Sequence, residues 1–280
     1  MHATPCPKTW FITGTSSGLG LALARYALSQ GCNVAATARS TAKLDALAAA
    51  APDRVLVHRL DVTAAGEAEA ALAAAHARFG RIDVLVNNAG YGIVGALEET
   101  PNGELRAQME TNFFGAWAVT KAALPILRAQ RAGAIINISS LGGQLSFAGF
   151  SAYSASKFAL EGMSEALAGE MAPFGVKVLI VEPGQMRTGF AGDAMRHMPT
   201  IDAYAGTVGQ TRSFAHSMDG AQTGDPFKVG QAIDAALAAE VTPLRLQVGG
   251  DAIDMVRTHA EQMLADLASW DEVGRSIALV

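Results

Sequence analysis

The chain has 280 residues, half of them apolar and 17% charged, and a net charge of −5. This is the composition of a folded globular protein of one or two domains, and it excludes a disordered chain. The mild acidity, with no long run of Lys and Arg, argues against a nucleic-acid partner. The two cysteines, Cys6 and Cys32, form no CxxC and no metal-like spacing, which fits a reducing compartment. Met1 to Lys8 contains no apolar leader core, and no segment approaches the ~18–20 apolar residues of a membrane span. The expectation is a cytoplasmic protein with no membrane partner and no metal.

Apolar runs of strand type alternate with helical patterns along the chain. Lys8 to Thr13 reads as a first strand, and Gly18 to Gln30 as a helix with Gly31 suited to its C-terminal cap. Asn33 to Thr37 is a second strand, followed by a helix over Thr41 to Ala51 beside Ser40 as its cap. Arg54 to Leu60 is a third strand, Ala64 to Phe79 a third helix, and Ile82 to Val86 a fourth strand. Glu104 to Arg128 reads as mostly helical. Ala134 to Ile138 is a fifth strand, Tyr153 to Met171 a helix, Val176 to Val181 a sixth strand and Leu244 to Val248 a seventh.

Runs such as Val84-Leu85-Val86 and Val178-Leu179-Ile180-Val181 are apolar without alternation, as strands buried on both faces are. Alternating strands and helices of this kind predict an α/β doubly wound parallel sheet of Rossmann type, three layers α/β/α with about seven strands. The whole of 1–280 reads as a single domain. Residues 185–228 break the rhythm, being rich in Gly, Met, Thr and Ser without a clear strand, and read as an insertion over the site. Residues 251–280 read as a C-terminal helical extension.

Thr13-Gly14-Thr15-Ser16-Ser17-Gly18-Leu19-Gly20 falls between the first strand and first helix. Glycines 14, 18 and 20 let backbone approach a pyrophosphate, and the helix N-terminus adds free N–H groups and a positive dipole end. Ser16, Ser17 and Leu19 complete the cradle. The Lys of a nucleotide-triphosphatase loop is missing, which argues against ATP hydrolysis. At the end of the second strand an acid would select NAD through the ribose 2′-hydroxyl. The sequence instead reads Thr37-Ala38-Arg39-Ser40, so Arg39 and Ser40 are matched to a 2′-phosphate and NADP(H) is the expected cofactor. The bland alternative is a solvated Arg39. Asp61 and Val62 are placed to meet the adenine, although Asp61 suits a helix cap equally. Asn87, Ala89 and Gly90 end the fourth strand with small groups on which a cofactor can lie.

Tyr153 and Lys157 are four residues apart at the start of a helix and share a face. A nearby ammonium favours the phenolate, so Lys157 is expected to lower the Tyr153 pKa from ~10, and an oxidised nicotinamide, also cationic, to add to the effect. The pair then donates a proton to a carbonyl oxygen or takes one from an alcohol. Ser140, just past the fifth strand, is placed to hold the substrate oxygen.

With these motifs assembled, the chain resembles the short-chain dehydrogenase/reductase family. The likeness lies in TGTSSGLG at 13–20, NNAG at 87–90, TNFFG at 111–115, ISS at 138–140, YSASK at 153–157 and PGQMRT at 183–188. It spans about residues 8 to 190, and YSASKFALEG looks like the branch of hydroxysteroid dehydrogenases and carbonyl reductases. The resemblance implies a catalytic tetrad of Asn112, Ser140, Tyr153 and Lys157, with Asn112 holding a water that links Lys157 to solvent. It also implies that Tyr153 and Lys157 touch the nicotinamide ribose, that Pro183, Gly184, Met186 and Thr188 meet the nicotinamide end, and that hydride leaves from the pro-S face. The chain departs from the family's usual core in its long segment after Thr188 and in its tail.

Met186, Phe190, Met195, Met198, Tyr204, Phe214, Met218 and Phe227 give the insertion an adaptable apolar lining, or simply pack it down. The expected activity is NADPH-dependent interconversion of an apolar ketone or aldehyde and its alcohol. The alternatives are a non-catalytic NADP(H)-binding sensor of the same fold and a relative running epimerisation or enoyl reduction. Phe158, Leu160, Met163, Leu167 and Met171 are divided between sheet packing and a subunit interface, and the resemblance implies a homodimer or homotetramer.

Overall fold

A computed structural model describes residues 7–279, so Cys6 lies outside the described residues. Seven parallel strands form the central sheet in the order β3-β2-β1-β4-β6-β7-β9. Their ranges are β1 Thr9–Thr13, β2 Asn33–Ala38, β3 Val55–Arg59, β4 Val84–Asn87, β6 Gly133–Ile138, β7 Val176–Pro183 and β9 Arg245–Val248. The order reverses between β1 and β4, which opens the crevice at the strands' carboxyl ends where ligands bind in such sheets.

The sheet is apolar on both faces. In β1, Trp10 and Ile12 join one core with Leu23 and Tyr26 of α1 (Gly18–Ser29) and Ile233 of α8 (Pro226–Ala238). Phe11 points the other way, into a core with Leu72 of α3 (Glu67–Phe79), Leu127 of α5 (Gly115–Gln130) and Leu167 of α6 (Ser151–Met171). Adjacent residues of one strand thus feed two cores, as a sheet covered on both sides by helices requires. No helix among the described residues is long and apolar enough to cross a membrane.

Several boundaries differ from those expected. The second helix is a 3-10 turn, Ala42–Leu44, followed by the short α2, Asp45–Ala50, and Thr41 rather than Ser40 occupies the cap position. α3 starts at Glu67, not Ala64, because Gly66 is left-handed at φ +81° and Asp61 closes a turn on Thr63. The helix across 102–130 is α4 (Asn102–Met109) and α5 joined by a π-turn at Glu110–Phe114. α8 carries signals the reading passed over: Pro226 in its first turn and Asp225 accepting from the Phe227 N–H at 2.9 Å.

The segment 185–228 contains a three-residue strand, β8 (Met195–His197), where none was expected. It pairs in parallel with β5 (Gly92–Val94). α7 (Val208–Met218) follows. Buried Glu99 pins the segment down, accepting from Arg212 and from the Ile201 N–H, each at 2.7 Å. A long helix, α9 (Gly250–Arg275), follows β9.

Candidate active site

The loop after β1 is shaped by its glycines. Gly14 has φ +72°, and a Cβ there would lie 2.9 Å from the Ala89 Cα. A Cβ on Gly20 would collide with the Asn88 amide and the Gly14 carbonyl. Ser17, at the N-cap of α1, makes no side-chain cap bond, leaving the first N–H groups of the helix for a ligand. Gly18 faces Thr188 across the crevice, its would-be Cβ 3.6 Å from the Thr188 Cβ. Residues the sequence reading missed hold the loop in place. The Thr13 hydroxyl accepts from the Asn88 and Ala89 N–H groups at 2.9 and 3.0 Å, and the Asn88 amide donates to the Thr13 carbonyl at 2.9 Å.

Arg39 and Ser40 are exposed at the carboxyl end of β2, and Arg39 is bonded to no carboxylate among the described residues. A bare backbone cradle and an uncapped helix start fit a dinucleotide, and Arg39 lies close enough to Asp61 to help lower that carboxyl's pKa. Not all expected contacts keep free side chains. The Asn87 amide nitrogen donates to Thr120 and Asn137 at 2.8 and 2.7 Å, while its buried Oδ1 has no partner among the described residues. Gly184 makes room for Asp251, whose carboxylate accepts from the Gln185 N–H at 2.8 Å. Val62 is buried and packs where a Cβ on Gly115 would stand, while Pro183 closes β7 opposite Val248. Met186 is partly buried against the core.

β6 and α6 bring together the groups expected to do chemistry. Ser140 opens a 3-10 turn (Leu141–Gly143), its Oγ accepting from the Gly142 N–H at 3.0 Å, and it lies near enough to the Tyr153 hydroxyl to favour the phenolate. The Tyr153 ring lies between Phe150 and Phe190, with centroids 6.1 and 5.8 Å away. Lys157 Nζ donates to the Ile138 carbonyl at 2.9 Å and sits 5.8 Å from the Tyr153 ring centroid. In the π-turn, Asn112 clamps the Tyr91 backbone through both ends of its amide, at 3.1 and 3.0 Å, and donates to the Ser156 hydroxyl at 3.0 Å. π-turns inside α-helices often mark functional positions.

The electrostatics correct one expectation. Burial pushes the Tyr153 phenol up to about 12, the Ser140 hydrogen bond opposing weakly, and burial brings the Lys157 ammonium down to about 8 against the pull of Glu161. Burial disfavours the charged form of each group, so the chain by itself favours Tyr153 as a neutral phenol. Behind Lys157 lies a cluster the sequence reading did not find. Buried Glu161 accepts from Ser139 at 2.7 Å and from Arg245 at 3.0 Å. Fully buried Glu182 is driven up to about 7 by burial and by Glu161. Only their place on strand and helix faces signals these residues, since the pairing needs β7 and β9 to be adjacent.

The apolar residues of 186–227 divide. Phe190 flanks Tyr153, Met195 packs against Gly92 and Met198 is buried, whereas Phe214 is exposed. Phe227 belongs to α8 and stacks edge-on against Tyr26 at 5.4 Å, away from the crevice.

Residues 8–199 match the short chain dehydrogenase family. The chain belongs to that family. It is 41% identical to an oxidoreductase of Botryotinia fuckeliana, with 97% of this chain and 99% of that protein covered. A 3-ketodihydrosphingosine reductase of Bacteroides thetaiotaomicron is 39% identical, with 87% and 88% covered. Among solved structures, a short-chain dehydrogenase from Streptomyces avermitilis superimposes with a TM-score of 0.91 at 50% identity, covering 97% of this chain and all of that one. The chain is therefore an oxidoreductase of the short-chain dehydrogenase family, a single Rossmann-like domain.

Proposed function

We propose that this short-chain dehydrogenase interconverts an apolar ketone or aldehyde and the corresponding alcohol with NADP(H). The observation that carries the reading is the convergence of Ser140, Tyr153 and Lys157 beside the glycine cradle. Bound nicotinamide supplies or accepts the hydride. In reduction Tyr153 gives its proton to the carbonyl oxygen, and Ser140 holds that oxygen against it. Lys157 offsets the charge left on the phenol, and with Tyr153 it holds the nicotinamide ribose. Asn112 keeps the Tyr91 backbone and Ser156 in place and supports the water through which Lys157 is reprotonated. Arg39 and Ser40 receive the 2′-phosphate.

Phe150 and Phe190 wall the space above Tyr153 with apolar surface, which suits an apolar substrate. The likeness to a 3-ketodihydrosphingosine reductase supports reduction of a ketone of that kind. Of the five α6 residues divided between core and interface, Leu160, Leu167 and Met171 are buried, while Phe158 is exposed alongside Phe114 and Trp117. That aromatic surface is the proposed contact between subunits of a homodimer or homotetramer. A panel of ketones, aldehydes and charged oxo acids, followed by loss of reduced-cofactor absorbance, tests the function. Apolar ketones with NADPH should turn over fastest. Preference for NADH, or activity confined to small charged substrates, overturns the reading.

A further inference from the structure

α9 leaves the body after its first turns. Ala252 is its one buried residue, and every residue from 261 to 279 is exposed. Met263, Leu267 and Trp270 are 59%, 68% and 67% exposed. A single helix of that length standing free in water is marginal, so its apolar face calls for a partner. The face has a specific period. From Ile253, apolar or small residues recur at alternating intervals of three and four through Val256, Ala260, Met263, Leu267 and Trp270 to Gly274, with Ile277 in the terminal turn. This is the a/d seam of a coiled coil, narrower than the stripe of a helix lying on its own domain.

We propose that α9 pairs antiparallel with α9 of a second copy. In that register the seam matches large residues to small: Trp270 of one helix faces Ala260 of the other, Val256 faces Gly274, and Met263 faces Leu267. Parallel pairing would set Trp270 against Trp270 and Gly274 against Gly274, leaving one bulge and one hole. The flanking positions agree. Antiparallel pairing brings Arg257 opposite Asp271 on both sides of the twofold axis and Leu264 opposite its own copy on the axis. Asp266 then meets its copy once, whereas parallel pairing opposes Asp266 and Asp271 twice. Among the described residues, Arg257 and Asp271 pair with exposed neighbours on their own helix, Asp254 at 3.6 Å and Arg275 at 2.8 Å, which are exchanged at little cost. The helix carries more Asp and Glu than Lys and Arg, which disfavours an anionic membrane as the occupant. Its root is fixed to the body through Asp251, so antiparallel pairing sets the two bodies at opposite ends of the coil.

The test compares full-length wild type with Leu267→Glu by sedimentation equilibrium. Leu267 lies on the exposed part of α9, so the variant keeps a cooperative melt. The wild-type mass should be twice that of L267E, or more where the α5–α6 surface also pairs, and equal masses overturn the proposal. Orientation is read with a short bis-maleimide on Leu264→Cys and Ser276→Cys, against wild type as background. Antiparallel pairing places the two 264 positions together and the two 276 positions about 33 Å apart, at 1.5 Å per residue. Only L264C should then yield a covalent dimer. Cross-linking of both variants, or of neither, overturns the arrangement.

Discussion

Replacing Tyr153 by Phe separates proton transfer from packing. The ring keeps its contacts with Phe150 and Phe190, and the loss is a hydroxyl placed to share a hydrogen bond with Ser140. Such a bond contributes on the order of 1 kcal/mol, a few degrees of melting temperature in a domain of this size. The chemical loss is larger. With the phenol at about 12, all but about one molecule in 10⁵ holds its proton at pH 7, so the residue rests as an acid ready for reduction. A positioned general acid is worth roughly 10²–10⁴ in rate, or about 3–5 kcal/mol of barrier. The assay is kcat for ketone reduction beside the NADPH dissociation constant from cofactor fluorescence. Y153F should lose kcat in that range while the dissociation constant stays within about threefold. A kcat within about tenfold of wild type would refute the assignment. Direction adds a second readout. Alcohol oxidation needs the phenolate and should climb toward tenfold per pH unit, while ketone reduction stays flat between about pH 6 and 8. Equal slopes for the two directions would contradict a high phenol pKa.

Arg39→Ala should raise the Michaelis constant for NADPH by roughly 10–100-fold, the worth of a charged hydrogen-bonded pair, and leave NADH unaffected. Parallel increases for both cofactors would remove Arg39 from the 2′-phosphate. Glu99→Ala leaves the guanidinium of Arg212, whose side chain is 12% exposed, without its carboxylate and with the Met198 and Pro199 carbonyls as partners. Breaking such a pair costs ~3 kcal/mol, so calorimetry should show a melting point lower by roughly 6–12 °C, and a drop under about 2 °C would show that the pair does not hold the 195–218 segment. Glu182 has its folded pKa raised to about 7, so between about pH 4.5 and 7 the folded state binds more protons than the unfolded chain. Wild-type stability should therefore fall as pH rises through that window. Glu182→Gln should flatten the fall by about 1–3 kcal/mol in urea unfolding, and an unchanged pH profile would show that Glu182 titrates normally.

The sheet was legible because its signals are local. Continuous apolar runs mark strands buried on both faces, and β1, β2, β4, β6, β7 and β9 start and stop within a few residues of their predicted ends. The convergence of Ser140, Tyr153 and Lys157 was equally legible, since a helix fixes the i, i+4 pair and β6 delivers the serine. What escaped depends on distant partners. β8 is three residues long and exists by pairing with β5, about a hundred positions earlier, so no local run announces it. Phe227 looked like a lid residue until α8 carried it onto Tyr26. The rise of the Tyr153 phenol is a property of burial, and spacing along a helix is silent about burial.

α6 shows how the missed residues bear on the legible ones. Tyr153, Lys157, Glu161 and Glu165 recur every four residues and so share a face. Residues 138–144, running out of β6, engage that face step by step: Ser140 lies by the Tyr153 hydroxyl, the Ile138 carbonyl takes Lys157, and Ser139 and Gln144 bond Glu161. A Cβ on Gly143 would collide with the Glu161 carboxylate, so glycine there is what lets the loop lie so close. Arg245 ties Glu161 and Glu165 to β9 at the sheet's edge. A charged lysine in so dry a place needs a compensating carboxylate, and Glu161, one helical turn on, is the group that raises its pKa against burial. A carboxylate buried that deeply needs its own donors, and these come from the loop that positions Ser140 and from the edge strand. The acid cluster is thus part of the same electrostatic arrangement as Tyr153 and Lys157, and its cost, a carboxyl at Glu182 that ionises only near neutrality, is borne where β7 and β9 meet.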